Sequence, residues 1–206
     1  MKFQLPTVLV GLAATTVSAQ QNQNQTGPFS LLITGSKANT TLNGSLSNCH
    51  TGAGISALCY SSAQASAQYY FNYTGFDKAG EDEVGTLTWN LPFIDDNGNP
   101  ATISQPMSLE YQTTSNVAAP MFGLSDNTFS VGFDSEGVLF GYNYIDDSKF
   151  VPGMQPPVTQ LVGRAYYQWA VCWQYFAGYY YQSLAWVQSG ISHNPTCEAV
   201  MVTQKA

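Results

Sequence analysis

From Pro28 onward the chain is a succession of short runs rich in β-branched and aromatic residues, each closed by turn chemistry. No other feature constrains its fold as strongly. Residues 29–34, 69–73, 84–90, 107–112, 128–133 and 138–144 read as strands, since side chains of this shape suit a pleated, half-buried surface. The turn signals are specific: Asn43-Gly44 reads as a type I′ hairpin, residues 95–99 close one strand, and Glu136-Gly137 marks another hairpin tip. No amphipathic helical stripe of useful length occurs. The best helical window, residues 54–68, is rich in Ala and Ser and is expected to carry a turn or two. The expected fold is therefore all-β: an antiparallel β-sandwich, jelly-roll-like, with a short helical or irregular segment after the first disulfide loop.

The last third carries the sharpest geometric expectation. Residues 166–176 and 179–188 flank Ala177-Gly178 and read as one long hairpin. A two-residue turn sets Trp169 opposite Trp186, Val171 opposite Leu184 and Tyr175 opposite Tyr180 on a face read as core. The other face carries Gln168, Cys172, Gln174, Phe176, Tyr179, Tyr181 and Ser183, half polar and half aromatic.

The N-terminal residues address the compartment. Lys2, an apolar core over residues 5–14 and the small residues Val17-Ser18-Ala19 match a secretory signal peptide over residues 1–19. The apolar run is shorter than the ~20 residues a membrane helix needs. A polar Gln/Asn-rich tail, residues 20–27, is expected to be disordered, and residues 28–206 form one β domain. Charged residues make up 9% of the chain, with a net charge of −7. An acidic surface excludes nucleic acid and anionic lipid as partners, since both need basic residues. Asn39, Asn43 and Asn72 each begin an Asn-x-Ser/Thr acceptor for N-glycans. Four cysteines, Cys49, Cys59, Cys172 and Cys197, admit three disulfide connectivities. Sequence proximity favours 49–59 and 172–197, each worth about 3 kcal/mol in the chain-entropy model. No CxxC or HxxxH pair supports a zinc site.

Chemistry is sparse. Sugar hydrolysis needs two carboxylates across the scissile bond. The candidates are Glu81-Asp82-Glu83, Glu110, Glu136, Asp95-Asp96 and Asp146-Asp147, with Glu110, between Leu109 and Tyr111 on a strand, the most interesting. None lies in an alternating carboxylate strand. No Gly-x-Ser-x-Gly elbow occurs, and His50 and His193 read as surface loop residues. Asp95, Asn97 and Asn99 begin like a calcium loop, but Pro100 and Met107 stand where Gly and Glu are required, so a hairpin turn is expected. No catalytic residue, metal or cofactor is assigned. Aromatics are abundant, with thirteen Tyr, eleven Phe and four Trp. Phe176, Tyr179 and Tyr181, with Gln174, are candidates for a sugar-stacking platform, against the competing reading that they pack under the Cys172 bridge.

Two stretches form a distinctive pair. One joins residues 29–35 (FSLLITG), 42–45 and 49–59 (CHTGAGISALC); the other joins 166–172 (YYQWAVC), 178–186 (GYYYQSLAW) and 194–197. With residues 115–122 (SNVAAPMF) and 144–148 between them, they resemble a family of small secreted proteins from filamentous ascomycete fungi, over essentially the whole mature chain. That family is a domain of unknown function, so the resemblance supplies no catalytic residues. It implies a secreted, β-rich fungal domain with two disulfides, and permits a place at the cell wall or on a plant host. The expected function is non-catalytic: a cell-surface, glycan-binding or host-interaction (effector-like) protein whose partner is a cell-wall glycan or a host apoplastic protein. The alternative is a secreted polysaccharide-active enzyme using paired carboxylates, Glu110 or Glu136 supplying one.

Overall fold

The computed structural model describes residues 23–36, 42–64, 66, 68–144, 152–153 and 163–206. The expected signal peptide, Asn39 and Asp146-Asp147 lie outside them. Thirteen strands occur among the described residues: β1 (Asn24–Gly35), β2 (Asn43–Gly52), β3 (Ile55–Ser61), β4 (Tyr69–Ala79), β5 (Asp82–Ile94), β6 (Pro100–Glu110), β7 (Val117–Phe122), β8 (Val131–Phe133), β9 (Leu139–Asn143), β10 (Arg164–Tyr166), β11 (Trp169–Phe176), β12 (Tyr179–Val187) and β13 (Glu198–Lys205).

The fold is a closed barrel, not a sandwich. Nine antiparallel strands form the ring β1–β13–β11–β12–β3–β7–β6–β5–β4 and back to β1, with β2 pairing both β1 and β3. Two strands that change partners along their length produce the closure. The first part of β1 pairs β4, as in Asn24↔Tyr73. After an irregularity between Thr26 and Phe29, its second part pairs β13 and β2. Likewise β6 pairs β5 through Pro106 and β7 from Met107 onward. Alternating hydrophobicity separates inside from outside but reads the same in a sandwich and a barrel. The jelly-roll-like sandwich is corrected on that ground.

Three local expectations are corrected too. Residues 55–61, inside the helical window, form β3, and no helix occurs among the described residues. The small residues there serve close packing: Ala57 is buried with Ala119 and Met121 beside Cys49. Asn43-Gly44 is not a hairpin turn but the start of β2, with Gly44 opposite Ile33. Glycine is required because a Cβ would strike the carbonyl oxygen of Ser61 on the adjacent strand. Residues 24–26, within the tail assigned by composition, pair with β4 because the neighbouring strand satisfies their backbone groups whatever their side chains.

Other expectations hold. Asp95 closes the β5–β6 hairpin, its Oδ1 accepting from the N–H of Asn97 (2.9 Å) and of Asn99 (2.8 Å). The Asn99 backbone N–H holds this carboxyl below the usual range. Gly137 turns β8 into β9 through N–H to the Asp134 carbonyl. The β11–β12 register is Trp169↔Trp186, Val171↔Leu184 and Tyr175↔Tyr180.

Aromatic side chains fill the interior. Tyr69 is fully buried and stacks on Phe122 at 5.8 Å, with Trp89 leaning on the same ring. Trp169 and Trp186 meet edge to face at 4.7 Å, and the Trp169 indole N–H donates to the buried Leu139 carbonyl. Each fully buried large side chain contributes about 1.5–3 kcal/mol, and the indole bond removes the cost of an unpaired buried donor.

Burial pushes the Tyr69 phenol well above its ordinary value of 10.0. A group whose folded pKa is raised contributes stability that is whole below its unfolded pKa and lost as pH rises past it. Replacement Tyr69→Phe is therefore expected to flatten the decline in melting temperature above about pH 10. Parallel declines in the two proteins would show that Tyr69 carries none of it.

Candidate functional site

The β11–β12 hairpin is longer than the barrel wall it completes. At its base, Trp169, Val171, Leu184 and Trp186 point into the main core. Further along the same face Trp173, Tyr175 and Tyr180 stand 50%, 60% and 73% exposed. The face that reads as uniform core is thus divided, buried at the base and open at the tip. Ala177 (φ 51°) and Gly178 (φ 86°) make the turn. Tyr175 and Tyr180 face each other across it with ring centroids 5.0 Å apart.

Trp173 is the best anchored of the three. β13 pairs β11 only at Ala170 and Val171, so the Trp173 backbone has no strand neighbour on that side. Side chains take the strand's place. Thr196 Oγ1 accepts from the Trp173 N–H at 3.0 Å, and Asn194 Nδ2 donates to the Trp173 carbonyl at 2.9 Å. Asn194 Oδ1 in turn accepts from the Thr196 N–H and hydroxyl. The Cys172–Cys197 disulfide, with Cα atoms 4.2 Å apart, holds this loop to the strand. Asn116 secures the loop's other end, donating to the carbonyls of Ser189 and Ile191 and accepting from the N–H of His193.

A groove of about 340 Å³ lies between this hairpin tip and the β6–β7 connection. Trp173, Tyr175 and Tyr180 supply aromatic surface; Glu110, Gln112, Thr114 and Asn194 supply polar groups. The β6–β7 connection is set by Ser115, whose N–H donates to the Gln112 carbonyl and whose hydroxyl accepts from the Val117 N–H. Glu110 is exposed at the end of β6 and is the one carboxylate among the described lining residues. Another hollow of about 410 Å³ lies under residues 190–195, against the base of the hairpin, and has no charged residue among its described lining residues. The tip groove alone of the two combines exposed aromatic faces with a charge.

The residues expected to form a platform occupy different places. Phe176 stacks nearly parallel on Tyr181 at 4.5 Å and packs against Ala57, Ala119 and Met121. The Tyr181 hydroxyl is 3.4 Å from the His50 carbonyl. This face covers the β2–β3 hairpin and its Cys49–Cys59 bridge. Gln174 and Phe176 line the groove, but Gln174 Nε2 donates to Ser183 Oγ and the Leu184 carbonyl. Tyr179 is exposed at the turn. The exposed platform is the opposite face, which alternation alone assigns to the core. The hairpin's length beyond its last barrel partner is what distinguishes the two.

The other sequence-derived residues are dispersed. Glu136 lies in the β8–β9 turn, its N–H donating to Asp134. Glu83 pairs with Lys78 at 3.1 Å beside the β4–β5 turn. His50 and His193 are exposed. Asn43 is exposed, whereas Asn72 is half-buried in mid-sheet, where its amide accepts from Gln25 and donates weakly to Thr88.

Thr196→Val keeps the side-chain shape but removes the acceptor of the Trp173 N–H, a bond worth about 1 kcal/mol. Amide exchange at Trp173 is expected to quicken severalfold while that at Val171 stays as it was. Unchanged protection at Trp173 would mean that the loop does not hold the platform.

No curated protein and no solved structure matches the chain. The model of the Domain of unknown function (DUF7907) matches residues 14–205, and the protein belongs to that family.

Proposed function

We propose that the protein is a secreted, non-catalytic glycan-binding protein whose binding surface is the groove at the β11–β12 tip. The observation that carries this reading is the exposure of Trp173, Tyr175 and Tyr180 on one anchored face. Pyranose C–H groups pack on aromatic faces, and Gln112, Thr114 and Asn194 can exchange hydrogen bonds with sugar hydroxyls at the groove edge. Two disulfides and the leader-like first nineteen residues support export to an oxidising compartment. The surroundings of Asn43 favour it over Asn72 as a glycan acceptor. A carbohydrate-binding role at a cell wall is favoured over a host-protein target because the groove offers stacking surface rather than a broad apolar patch. The enzymatic alternative draws less support, since Glu110 has no second carboxylate beside it among the described lining residues of the groove.

Retention on insoluble chitin, β-glucan, cellulose and plant wall tests the reading. Wild-type protein is expected to be retained on at least one of them. The variant Trp173→Ala/Tyr180→Ala, at exposed positions outside the core, is expected to pass through at least fivefold more freely, stacking being worth about 0.5–1.5 kcal/mol per ring. Wild-type protein that binds none of the four overturns the proposal.

A further inference from the structure

We infer that the groove prefers a sugar chain bearing free ammonium groups, an amino-sugar polymer, over neutral or N-acetylated chains. This rests on the glycan-binding reading above and goes beyond it, because stacking alone does not discriminate among pyranoses.

The inference comes from the electrical character of the lining. Aromatic faces are the negative ends of the ring quadrupoles, and a cation held over Trp or Tyr is attracted to them. Trp173, Tyr175 and Tyr180 present three such rings at half or greater exposure. Glu110, from the end of a different strand, adds a full negative charge to the same groove. No Lys, Arg or His stands among the described lining residues, so nothing there offsets that charge. The chain's net charge of −7 extends the same bias over its surface and favours the approach of a polycation.

A neutral sugar forgoes these features. It stacks on the rings and hydrogen-bonds at the edge, but its hydroxyls gain little from a solvated carboxylate. An N-acetyl group replaces the ammonium with a neutral amide, which carries no charge for Glu110 to attract. An amino sugar uses ring face, quadrupole and carboxylate together, and along a polymer the contacts repeat.

The experiment measures binding of three soluble oligomers of equal length, glucosamine, N-acetylglucosamine and β-linked glucose, to wild-type protein, Glu110→Gln and Trp173→Ala. Each variant is first shown to be folded by its circular dichroism. Wild type is expected to bind the glucosamine oligomer at least fivefold more tightly than the other two. Raising the salt from about 0.05 to 0.5 M is expected to reduce that preference, since it shortens the screening length well below 10 Å. Glu110→Gln is expected to remove most of the preference for the glucosamine oligomer. Trp173→Ala is expected to weaken all three. Equal binding of the three oligomers by wild type, or a preference that survives Glu110→Gln, overturns this inference and leaves the glycan-binding reading standing. Binding of none overturns both.

Discussion

Closure of the barrel rests on two strands that change partners along their length. β1 leaves β4 for β13 and β2, and β6 leaves β5 for β7. Without those two corners, the strand pairs would form separate sheets with free edges. With them, one ring surrounds an interior filled by Tyr69, Phe122, Trp169, Trp186 and their aliphatic neighbours. A closed ring has a fixed height, and a hairpin longer than that height projects from it. β11 and β12 do so, which exposes the tip even though the base lies in the core.

That projection explains which parts of the molecule are legible in its sequence. The hairpin register follows from a two-residue turn and strict alternation, both local properties, and the Trp169–Trp186 and Tyr175–Tyr180 pairs match the reading of residues 166–188. The disulfide pairs follow from proximity along the chain. Closure is different. Whether β1 ends against one sheet or continues into another depends on partners distant in sequence, so alternation in residues 29–34 says nothing about sandwich or barrel. Gly44 teaches the same lesson: Asn-Gly favours a turn locally, but the approach of Ser61 gives that glycine another purpose. In residues 54–68 the abundance of Ala and Ser suggests a helix. Their small size instead admits the close packing around Ala57.

The candidate site was half legible for the same reason. Aromatic content marks the hairpin, and Glu110 is distinctive among the carboxylates, yet alternation places Tyr175 and Tyr180 in the core and points to Phe176 and Tyr181 instead. At the tip the structure opens the face that alternation assigns to the core, and Gln174 and Phe176 from the other face line the same groove. Phe176 and Tyr181 stack on one another over the Cys49–Cys59 hairpin, while Trp173, Tyr175 and Tyr180 border a groove with Glu110. Nothing in the sequence foretold the use of Thr196 and Asn194 as substitutes for a missing strand beside Trp173, because that depends on where β13 begins to pair.

These features converge on one residue. Of the four tryptophans, Trp169 and Trp186 are buried, Trp89 is half-buried against Phe122, and Trp173 stands half exposed in the groove. Titrating the protein with a soluble glucosamine oligomer while following the four indole N–H resonances isolates it, with Trp173→Phe assigning the signal. A sugar-binding groove at the hairpin tip requires the Trp173 resonance to move in step with occupancy while those of Trp169 and Trp186 stay in place. Saturable binding that leaves the Trp173 resonance unmoved would put the ligand elsewhere on the barrel and contradict that assignment.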